Sequence, residues 1–282
     1  MKFFDTHSHL DFPIFASSAE RRFAVNRAKD AGIRGILLPA FSPISWTRTL
    51  QTSSELRDIT QNVCIHTALG IHPWAIADLP QSEIDHALNL LRSKIAAGIA
   101  PVAFGECGLD FGRRGSRVPR ATQVRVFEQH LKLCRMTGIP LVIHCVAAFG
   151  PLLELLAASP TPPCILHSFS GSPEVATLLC RSGHYISFAS AVTLPEAKRP
   201  KAAATAVPLG QLLIETDSPD QLPFTRRTDA QPPPRSEPAF VVDIAQAIAT
   251  LRGVSLAEIA GPTWDNACRV LSLGPDGLHI GA

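Results

Sequence analysis

The stretch Phe4-Asp5-Thr6-His7-Ser8-His9-Leu10-Asp11 decides how the rest of the chain is read. An apolar pair, Phe3-Phe4, runs directly into two histidines two residues apart. In extended backbone, positions i and i+2 face the same way, so His7 and His9 can aim both imidazoles at one point. Two neutral imidazoles converging from a strand end are the beginning of a divalent metal site. A half-exposed strand edge with two unrelated histidines would look the same, and only the rest of the chain separates the two.

Downstream of this stretch, short apolar runs alternate with helical periodicity. Further strands are predicted at 35–38, 63–69, 101–106, 140–144, 164–167, 185–188 and 212–217. Helices are predicted at 19–31, 46–60, 82–97, 121–137, 151–158, 173–182, 195–206, 239–252 and 255–272. The clearest is 121–137, where Val124, Phe127, Leu131 and Cys134 draw one apolar stripe and Gly138 closes the helix. The strands are apolar runs rather than alternating ones, as in a parallel sheet buried on both faces. Eight such βα units predict an α/β fold, a (β/α)₈ TIM barrel, formed as a single domain over residues 1–274 with a short tail at 275–282. A doubly wound open sheet is the competitor, but no Rossmann or P-loop glycine pattern follows any strand. The proline-rich stretch 218–236 reads as a long ordered loop or lid.

The totals narrow the function classes. Hydrophobic residues make up 46% of the 282 residues and charged residues 18%, with a net charge of +2. The mean hydropathy is +0.15. Such a chain is neither disordered nor a general polyanion binder, so any affinity for polyanions must come from a local patch. Seven cysteines with no CxxC pair suggest buried thiols in a reducing compartment. The first residues lack a basic start followed by an apolar run, and no run reaches the roughly 18 apolar residues of a membrane span. A cytoplasmic protein with no membrane association is expected.

The chemistry collects at strand ends. His7 and His9 close the first predicted strand, Glu106 the fourth, His144 the fifth, His167 the sixth and Asp217 the eighth. In a barrel, all strand C-termini face one rim, and active sites are built there. One strand-end histidine is more often a core or capping residue, but joint occurrence on five strands is hard to obtain by accident. Six ligands exceed one tetrahedral ion and suit two, with a carboxylate bridging them and water in the open positions.

These residues sit in motifs that resemble the TatD family of metal-dependent deoxyribonucleases, within the amidohydrolase-like superfamily. The opening stretch matches the family signature, and Gly70-Ile71-His72-Pro73-Trp74 and Gly105-Glu106-Cys107-Gly108-Leu109-Asp110 resemble its next two segments. The pattern resumes at Ile143-His144, His167-Ser168-Phe169-Ser170-Gly171-Ser172 and Glu215-Thr216-Asp217-Ser218-Pro219, then at Glu237-Pro238 and Asn266. The resemblance implies that His7, His9, Glu106 and Asp217 surround the more buried ion. It also implies that Glu106 bridges to a second ion held by His144 and His167. Catalytic roles would fall to Asp217, Glu106 and His72, with Asp217 as the candidate base, although a carboxylate bound to a cation is a weakened one. Imidazole-rich donors suit zinc, manganese, cobalt or nickel, whereas the family is associated with magnesium; two divalent ions are expected, magnesium, zinc or manganese.

The remaining residues concern substrate. His72 is expected to donate to a phosphate oxygen, or alternatively to bond a nearby carbonyl. Asp11 and Asp110 read either as orienters of histidine ligands or as caps, and Glu215 as a structural ion-pair partner or a catalytic residue. Ser168 and Ser170 are expected to line the substrate mouth. The segment after Glu106 carries Arg113, Arg114, Arg117, Arg120 and Arg125, and a second cluster is Arg226, Arg227 and Arg235. Arginines on the metal-bearing rim would hold phosphates, though solvated loops are the plain alternative. The expected activity is metal-dependent hydrolysis of phosphodiesters, 3′-exonuclease-like, on DNA or a short nucleotide, single-stranded or at an end. No protein partner is indicated. A hydrolase of an amide, lactone or small phosphoester is the first alternative, and a non-catalytic binding barrel the second. The chain departs from the family at Cys145-Val146-Ala147, where an arginine is common, and at Ser236, where an asparagine is common.

Overall fold

The computed structural model describes residues 1–15, 17–59, 62–97, 101–230 and 234–278. Eight strands form one sheet in sequence order: β1 (Phe3–Asp5), β2 (Ile33–Pro39), β3 (Cys64–Leu69), β4 (Ala103–Asp110), β5 (Leu141–Val146), β6 (Ile165–Leu166), β7 (Tyr185–Phe188) and β8 (Leu212–Ile214). Every neighbouring pair from β1·β2 to β7·β8 is parallel. The sheet closes on itself just beyond the strands proper. Thr6 N donates to Ile214 O at 3.2 Å, Asp217 N to His7 O at 2.9 Å and His9 N to Ser218 O at 2.7 Å. The open doubly wound sheet is thereby excluded.

Helices α1 (Ser18–Asp30), α2 (Trp46–Ile59), α3 (Gln81–Ala96), α4 (Arg120–Thr137), α5 (Phe149–Ala158), α6 (Pro173–Arg181), α7 (Lys198–Ala206), α8 (Val241–Arg252) and α9 (Leu256–Val270) surround the barrel or cap its base. Alternation along the strands divides the core in two. Phe4, Leu37, Ala68, Ala103, Val142, Ile165, Tyr185 and Leu213, one from each strand, fill the interior, and Trp264 and Leu271 of the α9 region close it from below. Their neighbours in sequence, such as Phe3, Ile36, Leu141 and Leu212, point outward into the layer beneath the helices. The plug of apolar side chains makes the lower barrel solid and leaves the upper rim for polar groups.

Several boundaries differ from expectation. β4 does not stop at Glu106 but continues to Asp110, with a register shift against β5 between Phe104 and Cys107. Gly105 and Gly108 permit this, with φ of 147° and 136°. A Cβ there would lie 2.7 Å from Val142 O and 2.0 Å from His144 O respectively, so only glycine allows β4 to approach β5 so closely. β8 ends three residues early, at Ile214, and the chain turns through Asp217 at φ 53°. The weak helix expected from 195 begins at Lys198. Thr60, the expected end of α2, lies outside the described residues, as do 231–233 of the expected lid and 279–282 of the tail. The tail's described part packs under the barrel, with Pro275 O accepting from Trp264 Nε1 at 3.2 Å and Gly277 O bonded to His66 Nε2 at 2.9 Å. Among the described residues, no single helix is long and apolar enough to cross a membrane.

Candidate metal centre

The upper rim gathers the strand-end residues into two adjoining groups of donor atoms, one at each oxygen of Glu106. In the first, His7 Nε2 and His9 Nε2 are 3.1 Å apart. Glu106 Oε2 lies 3.2 Å from the former and 3.7 Å from the latter, and Asp217 Oδ1 lies 3.6 and 3.7 Å from them. Ligands at about 2.0–2.2 Å around a tetrahedral ion stand roughly 3.3–3.6 Å from one another, which is close to this spacing. In the second group, Glu106 Oε1 is 2.9 Å from both His144 Nδ1 and His167 Nε2, and those nitrogens are 3.2 Å apart. The two oxygens of Glu106 thus face different groups.

Hydrogen bonds behind the imidazoles decide which nitrogen offers a lone pair. His9 Nδ1 is committed to Pro39 O at 3.1 Å, His167 Nδ1 to Glu215 Oε1 at 3.0 Å, and His144 Nε2 approaches Asp110 Oδ2 at 3.4 Å. Each of these outer nitrogens therefore carries the hydrogen, and the inner ones present lone pairs to one another and to Glu106. Acceptors packed this closely repel unless a cation stands among them, so the set fits divalent ions. Burial alone would raise the carboxyl of Glu106, but His72, His167, His7 and His144 outweigh it and hold it well below the usual range. Burial likewise lowers His167, yet the Glu106 and Glu215 carboxylates outweigh it and raise the imidazole well above its ordinary value, so this position favours positive charge, which an ion would supply in place of the proton.

His72 belongs to the rim but differs in kind. Its Nε2 lies 3.2 Å from Glu106 Oε1, while its Nδ1 accepts the Trp74 backbone N–H at 3.1 Å. The hydrogen therefore sits on Nε2, which makes His72 a donor toward the site and not a lone-pair ligand. Burial lowers its pKa to about 4, which keeps it neutral.

The other expected residues divide. Glu215 lies beneath the site and accepts from His167 and from Ser168 N at 2.6 Å. Asp110 faces His144, whereas Asp11 accepts from Thr49 Oγ1 at 2.6 Å, so of the two it is Asp110 that backs a histidine of the rim. Ser168, Arg113 and Arg114 line a pocket of about 520 Å³ over the donors, together with Phe12, Phe41 and Trp74. Ser170 does not: it is exposed and outside that lining, because β6 ends at Leu166 and the chain turns at Ser168, φ 43°, before reaching it. Two members of the second arginine cluster are also corrected. Arg226 forks onto Asp243 at 3.0–3.2 Å, and Arg235 donates to Ile14 O at 2.6 Å, so both brace loops away from the donors.

The sequence reading missed Gln221, whose Nε2 donates to Asp217 Oδ2 and, at 2.7 Å, to Ser168 Oγ. It missed the aromatic walls too: Phe12 stacks on His9 with ring centroids 4.3 Å apart, and Phe41 on His72 at 4.8 Å. No spacing rule points to any of the three, since they reach the rim from separate loops.

A family model described as TatD related DNase matches residues 4–272. The chain belongs to the TatD family. Among TatD-like relatives, the metal-dependent hydrolase YabD of Bacillus subtilis is 30% identical over 272 residues, covering 96% of this chain and 99% of that protein. The 3'-5' ssDNA/RNA exonuclease TatD of Erwinia amylovora is 31% identical over 280 residues, covering 96% of this chain and 100% of that one. The crystal structure of YjjV, a TatD homologue from Escherichia coli K12, superposes with a TM-score of 0.82 at 27% identity, covering 96% of this chain and 98% of that chain. Family, barrel and donor set agree on a metal-dependent hydrolase of TatD-like fold.

Proposed function

We propose that the protein hydrolyses phosphodiester bonds of DNA at single-stranded ends, releasing nucleotides from the 3′ side, with two divalent ions at the rim. The observation that carries this reading is the pocket wall. Arg113 and Arg114 line the cavity whose floor holds Glu106, His144, His167 and Asp217. Guanidinium groups above a metal floor match a phosphodiester better than a neutral amide. The exonuclease name of the Erwinia relative supports the same class.

His7, His9, Glu106 and Asp217 would hold one ion, and Glu106, His144 and His167 the other. Divalent ions supply Lewis acidity toward phosphoryl oxygens and lower the pKa of water. The chain's own groups do the rest. His72, neutral with its hydrogen on Nε2, donates to a non-bridging oxygen of the substrate. Arg113 and Arg114 offset charge that develops on the phosphoryl group. Asp217 serves as a ligand in preference to a base: burial raises its pKa, but His7, His167 and His9 outweigh it and keep it ionised. Phe12, Phe41 and Trp74 narrow the mouth and exclude water from its sides.

Purified protein should be assayed on a single-stranded oligonucleotide labelled at either end, on bis(p-nitrophenyl) phosphate, on a lactone and on a peptide amide, each with magnesium, manganese or zinc. The expected result is shortening from the 3′ end that EDTA abolishes. Hydrolysis of the lactone or amide with no phosphodiester cleaved under any ion would overturn the reading.

A further inference from the structure

A second cavity of about 550 Å³ adjoins the metal pocket and is lined by Trp74, Arg113, Arg114 and Arg117. It shares Trp74, Arg113 and Arg114 with the pocket over the donors, so the same side chains wall both spaces. Its wall is held from behind. Gln123, buried in the first turn of α4, accepts from Asp110 N at 2.7 Å. Its Nε2 donates to the carbonyls of Asp110, Gly115 and Val118 at 2.9, 3.0 and 3.2 Å. A Cβ on Gly115 would stand 1.9 Å from Asp110 O, so the segment folds back tightly on itself. The three arginines therefore project from a braced loop.

The chemistry of the cavity is specific. The Arg114 guanidinium lies 5.3 Å from the centroid of the Trp74 ring. Trp74 Nε1 donates to Asp110 Oδ2 at 2.6 Å, and the same oxygen faces His144 Nε2 at 3.4 Å. One carboxylate thus ties the aromatic ring to a donor of the metal centre. Arg117 pairs with Asp78 at 3.2 Å on the exposed side, and among the described residues neither Arg113 nor Arg114 forms an ion pair. Guanidinium forks grip phosphate oxygens, and an aromatic face backed by arginine takes the face of a base.

We propose that this cavity is a subsite for a second nucleotide of a single-stranded nucleic acid, its base against Trp74 and Arg114 and its phosphodiester on Arg113 and Arg117. The identity of the polymer rests on the phosphodiesterase reading, so the subsite is tested by binding without metal, where no cleavage intervenes. Fluorescence anisotropy in EDTA compares a labelled oligothymidylate with an abasic strand of equal length. The native protein should bind the thymidylate about tenfold more tightly than the abasic strand. Trp74→Leu should erase that preference, and Trp74→Phe, which keeps an aromatic face, should retain most of it. Arg117→Ala should weaken thymidylate binding about tenfold and flatten the salt dependence by about 0.7 in log–log slope. Equal affinity for the two strands, or an unmoved salt slope in Arg117→Ala, overturns the subsite. Binding of this pattern without cleavage under any divalent ion would leave the subsite standing and remove the proposed activity. Cleavage without it would do the reverse.

Discussion

Gln221 constrains what Asp217 can do. One Asp217 oxygen faces His7 and His9, and the other accepts from Gln221, which also holds Ser168. Asp217 and Gln221, in the loop after β8, and Ser168, after β6, all sit at positive φ, 53°, 52° and 43°. Gln221→Leu removes the donor that orients the carboxylate, and partners of this kind are worth about 10–100-fold in metal affinity. Zinc titration by calorimetry should therefore show at least about a tenfold loss. Gln221→Glu, which sets a second carboxylate against Asp217, should lose more. Unchanged affinity in both would show that Asp217 holds its place without help. Glu215 acts similarly on His167, but it is wholly buried, and its removal would also leave Ser168 N without an acceptor.

At the scale of elements, β4 and α4 carry opposite lessons. β4 bends at Gly105 and Gly108 to set Glu106 into the rim, and Gly108→Ala forces a methyl group onto the His144 carbonyl. That contact would push β4 off β5 and cost about 3 kcal/mol or more, with the metal donors displaced together. Chemical denaturation and zinc affinity should fall in parallel; a variant that loses neither would mean β5 yields instead. α4 buries His130, whose Nδ1 bonds Val126 O at 2.9 Å while Nε2 has no partner among the described residues. Burial takes its pKa from 6.5 to about 4. The unfolded chain then binds the proton first, so the stability this neutral group permits is complete above about pH 6.5 and declines as pH falls toward 4. His130→Leu removes that decline. The drop in unfolding free energy between about pH 7.5 and pH 5 should shrink by about 2 kcal/mol. An identical pH profile in the variant would assign the acid sensitivity elsewhere.

For the whole molecule, barrel closure and metal binding are one problem. Closure runs through the same residues that carry donors: His7 O accepts from Asp217 N, and Ser8 bridges Ser218. Asp5 reinforces the seam, accepting Thr216 N at 2.9 Å and meeting Thr216 Oγ1 at 2.6 Å. An ion that joined His7 and His9 to Asp217 would therefore clamp the end of β1 to the end of β8. Free zinc or manganese at 100-fold over its Kd should raise the unfolding free energy by about 2.7 kcal/mol, and EDTA should reverse the rise. His7→Ala should abolish most of the shift in melting temperature. A native melting temperature indifferent to every divalent ion would remove the metal centre from the account.

The alternating apolar runs, the strand-end histidines and the order of the motifs were legible without coordinates, because strand and helix periodicity are local properties of the chain. So was the grouping of His7 and His9 from their two-residue spacing, although β1 ends at Asp5 and an isolated Ser8–Ser218 bridge carries its pairing past that end. The tertiary structure alone decided which imidazole nitrogen faces inward, since Pro39, Asp110, Glu215 and the Trp74 backbone come from other elements. It alone separated Asp110 from Asp11, brought Gln221 to Asp217 and sent Arg226 and Arg235 to structural partners. The reason is physical: a residue type states what bonds a side chain can make, but the partner it meets is set by where closure of the barrel brings distant loops.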